Sequence, residues 1–214
     1  MKLRALTIAL VLAYSSPALP MDDQTAAAEA LGAYKTALID GDGRAASALT
    51  SAESHALLRD GIDHALSMEP QELRGLSPVD QLAVLLLRHS FDAEHLRSMR
   101  KTDPVEYAVS ARVFDTQTIA NVEMYEILVE GDEAEGYLRD AWGLQPDAAV
   151  YLKKQGGAWR IDLARYLAQF LPVGVIVNAG AVDEATDIEA VVMADTILWI
   201  TGRLPDRSIW NPPG

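Results

Sequence analysis

The four histidines of this chain stand at positions 55, 64, 89 and 95. No two are four residues apart, so no helix would present two imidazoles on one face, and no H-E-x-x-H occurs. They read as surface or capping histidines. "DGDG" at 40–43 has the opening of a calcium loop, but its fifth position is Arg44 and its twelfth is Ser51, where a bidentate Glu is needed. There is no cysteine. Thiolate zinc sites, iron–sulfur clusters, disulfides and cysteine nucleophiles are therefore excluded. No G-x-S-x-G, P-loop or dinucleotide fingerprint is present. Neither a metal nor a cofactor is expected.

Charge narrows the partners. The chain has 18 basic and 31 acidic residues, a formal net charge of −13. A nucleic-acid grip needs clustered Lys and Arg to displace counterions. Docking on anionic lipid needs the same sign. Neither is expected, and the acidity reads as solubility.

The first residues differ from the rest. "MKLR" is basic, "ALTIALVLAY" is a short apolar run, and "SSPA" follows. This is the layout of a secretory signal peptide, with Ser16 and Ala18 at the cleavage site. Residues 1–18 are expected to be removed, and the mature protein to be exported, periplasmic or secreted. The run is too short for a stable anchor, which takes about 20 residues. Losing Lys2 and Arg4 from the 18 basic residues leaves 16 against 31, a net −15.

The remaining chain is long enough to bury roughly 70% of its unfolded surface. Ala-rich sequence predicts a helix over 24–39, ended by Asp40-Gly41. Asp42 is a natural N-cap for the next helix. "TSAE" at 50–53 predicts a capping box on Thr50. "SPVD" at 77–80 and "DPVE" at 103–106 each place a cap before a proline at the first helical position. The second is expected to open a helix over 105–114. Two hairpins follow, in 121–142 and 146–163. In the second, Val150 and Leu152 share one face, as do Trp159, Ile161 and Leu163. Tyr151, Lys153, Lys154, Arg160 and Asp162 are assigned to the other. Helices are predicted near 164–178 and 186–202, the latter capped by "TDIE". Its Ile188, Val191, Val192, Ile197, Leu198, Trp199 and Ile200 need burial. Packing on the sheet or across its mouth is expected, with a homodimer contact as the alternative. The tail "PDRSIWNPPG" is expected to be irregular. The class is α+β: several N-terminal helices packed on a curved antiparallel sheet of about four strands, with a C-terminal helical extension. The division expected is a main domain over 22–163 and an extension over 164–214.

"GAYKTALIDGDGRAASALTS" resembles the opening of nuclear transport factor 2-like proteins. "EILVEGDEAEGYLRDAWG…AAVYLKKQGGAWRIDL" resembles their closing strands. The resemblance covers about 24–54 and 121–163, and it is to exported bacterial members of uncharacterised function. It implies a cone, a strongly curved sheet wrapped round the first helices with an apolar cavity inside. Tyr34 and Trp159 are then the residues expected to meet a ligand. Ketosteroid isomerases share this fold, and their tyrosine at the place of Tyr34 donates to a developing enolate oxygen. The partner carboxylate of that family counts to Leu58, which takes no proton. Asp60 and Asp63 lie near but out of register. No catalytic set is thus assigned. The expected function is an exported, non-catalytic binding protein for an apolar small molecule or a protein partner. The alternative is a small isomerase, cyclase or dehydratase using the cone pocket.

Overall fold

The computed structural model describes residues 22–112, 116–139, 149–171 and 188–213. The expected signal peptide, the Thr186 cap and the end of the helix predicted over 164–178 lie outside them.

Local capping sets the helices. Asp22 accepts from the Thr25 N–H at 2.8 Å and opens α1, Asp23–Asp40. Gly41, at φ 74°, closes it in the left-handed region. Asp42 caps α2, Gly43–Ala48. The next cap is displaced from its expected place. Ser51, not Thr50, accepts from the Ser54 N–H and opens α3, Ala52–Ser67. The reason is tertiary. Thr50 bridges to Ile161, with Ile161 N–H donating to Leu49 O at 2.7 Å and Ser51 N–H to Ile161 O at 2.9 Å. Thr50 is thus held in the bridge between α2 and the next helix, and it is Ser51, extended at φ −69° and ψ 155°, that caps.

A short helix that the sequence reading left unassigned, α4 (Pro70–Leu73), follows. Ser77 and Asp103 cap α5 (Pro78–Ser90) and α7 (Pro104–Ser110) as expected. Between them lies α6, Ala93–Arg100, on the Asp92 cap. α7 stops short of the predicted 114, since Arg112 sits at φ 52°. α8 is Thr116–Ala120.

The sheet is an open antiparallel meander, β1-β2-β3-β4. Its strands are Glu123–Glu130, Glu133–Arg139, Ala149–Gln155 and Ala158–Ile161. Gly131 turns the first hairpin at φ 61°, and Gly156 with Gly157 turn the second at 59° and 82°. One face is buried against α1: Ile127, Ala134, Leu152, Trp159 and Ile161 pack with Ala27 and Leu31. Trp159 is 3% exposed. The strand phase expected for Trp159 and Ile161 holds, but Lys154 belongs to their face, not the opposite one. It pairs with Trp159 in register, lies over its ring at 5.7 Å, and reaches Asp23 at 2.5 Å. A period of two from Val150 through Leu152 demands this, and the long stem lets the ammonium escape past the indole.

Two further clusters complete the core. Ala37, Ala46, Val105 and Val109 join α1, α2 and α7. Here α2 comes so close to α7 that a Cβ on Gly43 would stand 2.2 Å from Glu106 O. The largest cluster is helical: Ile62, Leu82, Leu85, Leu96 and Met99 of α3, α5 and α6. α9 (Leu163–Ala168) and α10 (Ile188–Thr201) follow the sheet. The terminal helix was expected on the sheet or its mouth. Instead Met193 and Ile197 of α10 bury into the helical cluster, beside α5. The α5 sequence explains it. Leu82, Ala83, Val84, Leu85 and Leu87 are all buried, so the helix is apolar on more than one side and needs partners on each.

The tail is also more regular than its prolines suggest. Asp206 caps a 3-10 turn, Arg207–Trp210, and Ile209 is buried. Arg88, itself 8% exposed, donates to Ile209 O and Trp210 O at 3.3 and 2.7 Å. It donates equally to Ala65, His64 and Met68 O, at 3.0, 3.2 and 2.6 Å, at the end of α3. No helix of the described residues is long and apolar enough to cross a membrane.

Candidate functional site

Tyr34 sits on α1 where two of the clusters meet, the sheet cluster and the α1–α2–α7 seam. Its ring is half-buried and its hydroxyl lies inside, sharing a hydrogen bond with the Thr50 hydroxyl. Burial pushes the phenol up to about 12. Thr50 in turn donates to Ala46 O at 3.0 Å.

Leu58 packs in the same seam as Tyr34. The two nearby acids are elsewhere. Asp60 is exposed, and Asp63 pairs with Arg100 at 2.8 Å. Among the described residues, therefore, the Tyr34 hydroxyl faces an alcohol and aliphatic side chains rather than a carboxylate. Trp159 lies within the sheet cluster, and its indole N–H has no hydrogen-bond partner among the described residues.

Three of the four histidines have structural partners. His55 lies 3.1 Å from Asp103 and 3.0 Å from Ser47 O, tying α2 to the cap of α7. His95 meets its own cap, Asp92, at 2.8 Å. His89 lies 3.3 Å from the Thr201 hydroxyl, and burial and Arg203 lower its basicity. No group of three or more possible metal ligands occurs among the described residues.

One concavity among the described residues lies away from Tyr34 and Trp159. It is a trough of about 650 Å³ between the first two turns of α1 and the strand β1. Asp22, Thr25, Ala28 and Glu29 form the helix wall. Met124, Tyr125, Glu126 and Ile127 form the strand wall. Gln24 crosses it, donating from Nε2 to Ile127 O at 2.9 Å. The pairing shows which side of β1 this is. Glu130 and Glu133 close a two-residue hairpin, so Glu130, Leu128 and Glu126 direct their amides and carbonyls at β2. Ile127 and Val129 direct theirs outward. The trough thus runs along the open edge of the sheet.

Sequence reading missed this site. Its one visible signal is Met124-Tyr125, two adjacent large apolar residues in an alternating strand. They fall at a bulge between Met124 and Glu126, and each is 37% exposed. Comparison with protein-family models, with curated proteins and with solved structures returned no match.

Proposed function

We propose that this chain is an exported, non-catalytic binding protein for an apolar small molecule or a protein partner. The observation that carries the reading is the surroundings of Tyr34. Its hydroxyl is held by Thr50, and Leu58, the position to which the resemblance counts a general base, packs in the same seam. A phenol raised to about 12 is also a weaker proton donor to a developing enolate than an ordinary one. Without a base the α-proton of a carbonyl compound does not move, and general acid–base help is typically worth about 10²–10⁴-fold. The nuclear transport factor 2-like resemblance supports a binding role through its cavity, with Tyr34 and Trp159 as the ligand-facing residues. The N-terminal layout supports export.

The test uses the full chain made in a bacterial host. Intact mass of the exported protein should place its first residue after Ala18, and incubation with a steroid enone and with small carbonyl compounds should give no turnover. A mature protein that still begins at Met1 would remove the export half of the reading. Turnover that disappears in Tyr34→Phe would remove the other half.

A further inference from the structure

The two edges of the sheet are treated differently. At β4 the edge is covered by main chain, since Leu49 and Ser51 bond to both polar groups of Ile161. At β1, among the described residues, the cover is side chain only. Gln24 meets Ile127 O, and Lys35 reaches Val122 O just before the strand. Among the described residues nothing is bonded to the outward amides of Ile127 and Val129 or to the outward carbonyl of Val129. Leu128, at 50% exposure, adds to the apolar rim made by Met124 and Tyr125. An open edge with apolar neighbours is a template for another strand, and proteins that do not use such an edge protect it.

The charge beside this edge has one sign. Asp22, Glu29 and Glu126 line the trough, and no Lys or Arg does. Neighbouring acids are already neutralised, Asp23 by Lys154 and Glu123 by Arg139. Glu29 and Glu126 have no ion pair among the described residues.

The geometry points to a peptide-binding site: an extended basic segment of a partner protein adds as a fifth strand along β1, lying in the trough against α1. This deepens the binding-protein reading and rests on its partner-protein branch, not on Tyr34. The Gln24 amide marks the place, because it supplies to Ile127 O the N–H that a fifth strand would bring. Four residues of β1 line the trough, about 13 Å of strand, enough for main-chain bonds to fix register. Guest side chains on the α1 side then meet Asp22 and Glu29, and those between them meet Glu126 and Tyr125 on the other face. Charge gives the choice of partner and the main chain gives the affinity.

The probe is a capped octapeptide of alternating lysine and valine, titrated calorimetrically against the purified mature protein at an ionic strength of about 0.15 M. Two controls accompany it, a glutamate–valine octapeptide and the lysine–valine peptide with every amide N-methylated. Each should bind at least about tenfold more weakly, a change of about 1.4 kcal/mol. The pair Glu29→Lys with Glu126→Lys should weaken the probe by at least about tenfold. Val129→Pro removes one outward N–H while leaving the ladder to β2, and it should also weaken the probe. Circular dichroism of each variant confirms that the fold persists. Three results overturn the inference. One is no heat of binding at about 1 mM probe, a level that still detects a weak site of about 4 kcal/mol. Another is equal binding of the N-methylated peptide, which would mean charge adsorption alone. The third is concentration-dependent self-association abolished by Val129→Pro, which would make a second copy the occupant. None of these bears on export or turnover, so the broader reading fails or stands by its own test.

Discussion

Replacing Arg88 with methionine should detach the C-terminal tail and cost about 3–5 kcal/mol. The guanidinium is the only link between the end of α3 and the 3-10 turn that rests on direct hydrogen bonds to both among the described residues. The carbonyls it serves have little else to turn to. Glu69 N–H, next in line for Ala65 O, is taken by the Glu72 carboxylate. Beyond Trp210 come Pro212 and Pro213, which have no N–H to offer. Ala65, Met68, Ile209 and Trp210 O would thus lose their donor together. At about 1 kcal/mol net for each bond the sum is about 4 kcal/mol, limited by the tail swinging into water and giving up the burial of Ile209. Against a total of about 5–15 kcal/mol this is large. It should lower Tm by roughly 10 °C in a chain of this size. Arg88→Lys keeps the charge but puts one ammonium where a planar fork spans two carbonyl sets, so it should lose about half as much. Urea unfolding followed by circular dichroism measures the cost, and hydrogen exchange at the Ile209 and Asn211 amides reports the tail. A cost below about 1 kcal/mol with an unchanged m-value would refute the assignment of Arg88 as the clasp.

Trp159→Ala empties the centre of the sheet cluster and should cost about 3–5 kcal/mol by urea unfolding. Gly43→Ala drives a methyl into Glu106 O, main chain that cannot turn aside, and should cost about 1–3 kcal/mol. Gly136→Ala meets only the Leu31 Cδ2 at 2.6 Å, a rotatable side-chain end, and should cost clearly less in the same assay. Tyr34 gives an alkaline signature. The folded phenol keeps its proton to about 12 while the unfolded one releases it near 10, so its share of stability is present below pH 10 and fades as pH rises through 12. That share is about 2–3 kcal/mol, and Tyr34→Phe should flatten the fall in stability between pH 10 and 12.

What was legible in the sequence was local. Asp42, Ser77 and Asp103 announce their helices because a cap needs only the next three residues. The glycine turns and the burial of Trp159 follow from alternation along a single hairpin. What was not legible was set by distant chain. Thr50 loses its cap because Ile161, more than a hundred residues later, holds it in a bridge. Lys154 has the polarity of an outward residue and the parity of an inward one, and only the Asp23 carboxylate at the far side of Trp159 reconciles them. Of the trough only the Met124-Tyr125 pair leaves a trace in the sequence, since its two walls are about a hundred residues apart and neither shows what faces it.

The position of α10 changes how the chain is organised. A boundary after 163 separates strand from helix, but the largest apolar cluster crosses it. α3, α5 and α6 begin that cluster, and Met193, Ile197 and Ile209 finish it. The sheet and α1 form a different cluster, bounded by residues 27 and 161. The chain therefore closes two interleaved layers, one over residues 27–161 and one over 62–209, each from segments far apart in sequence. Such contacts are costly in loop entropy. Arg88 lies at that closure. It sits on α5, beside the helical cluster, and its donors meet carbonyls of α3 on one side and of the tail on the other. Two of its five hydrogen bonds, both from Nη1, go to the tail. The same cation that finishes the α3 terminus thus also selects the segment that seals the helical layer.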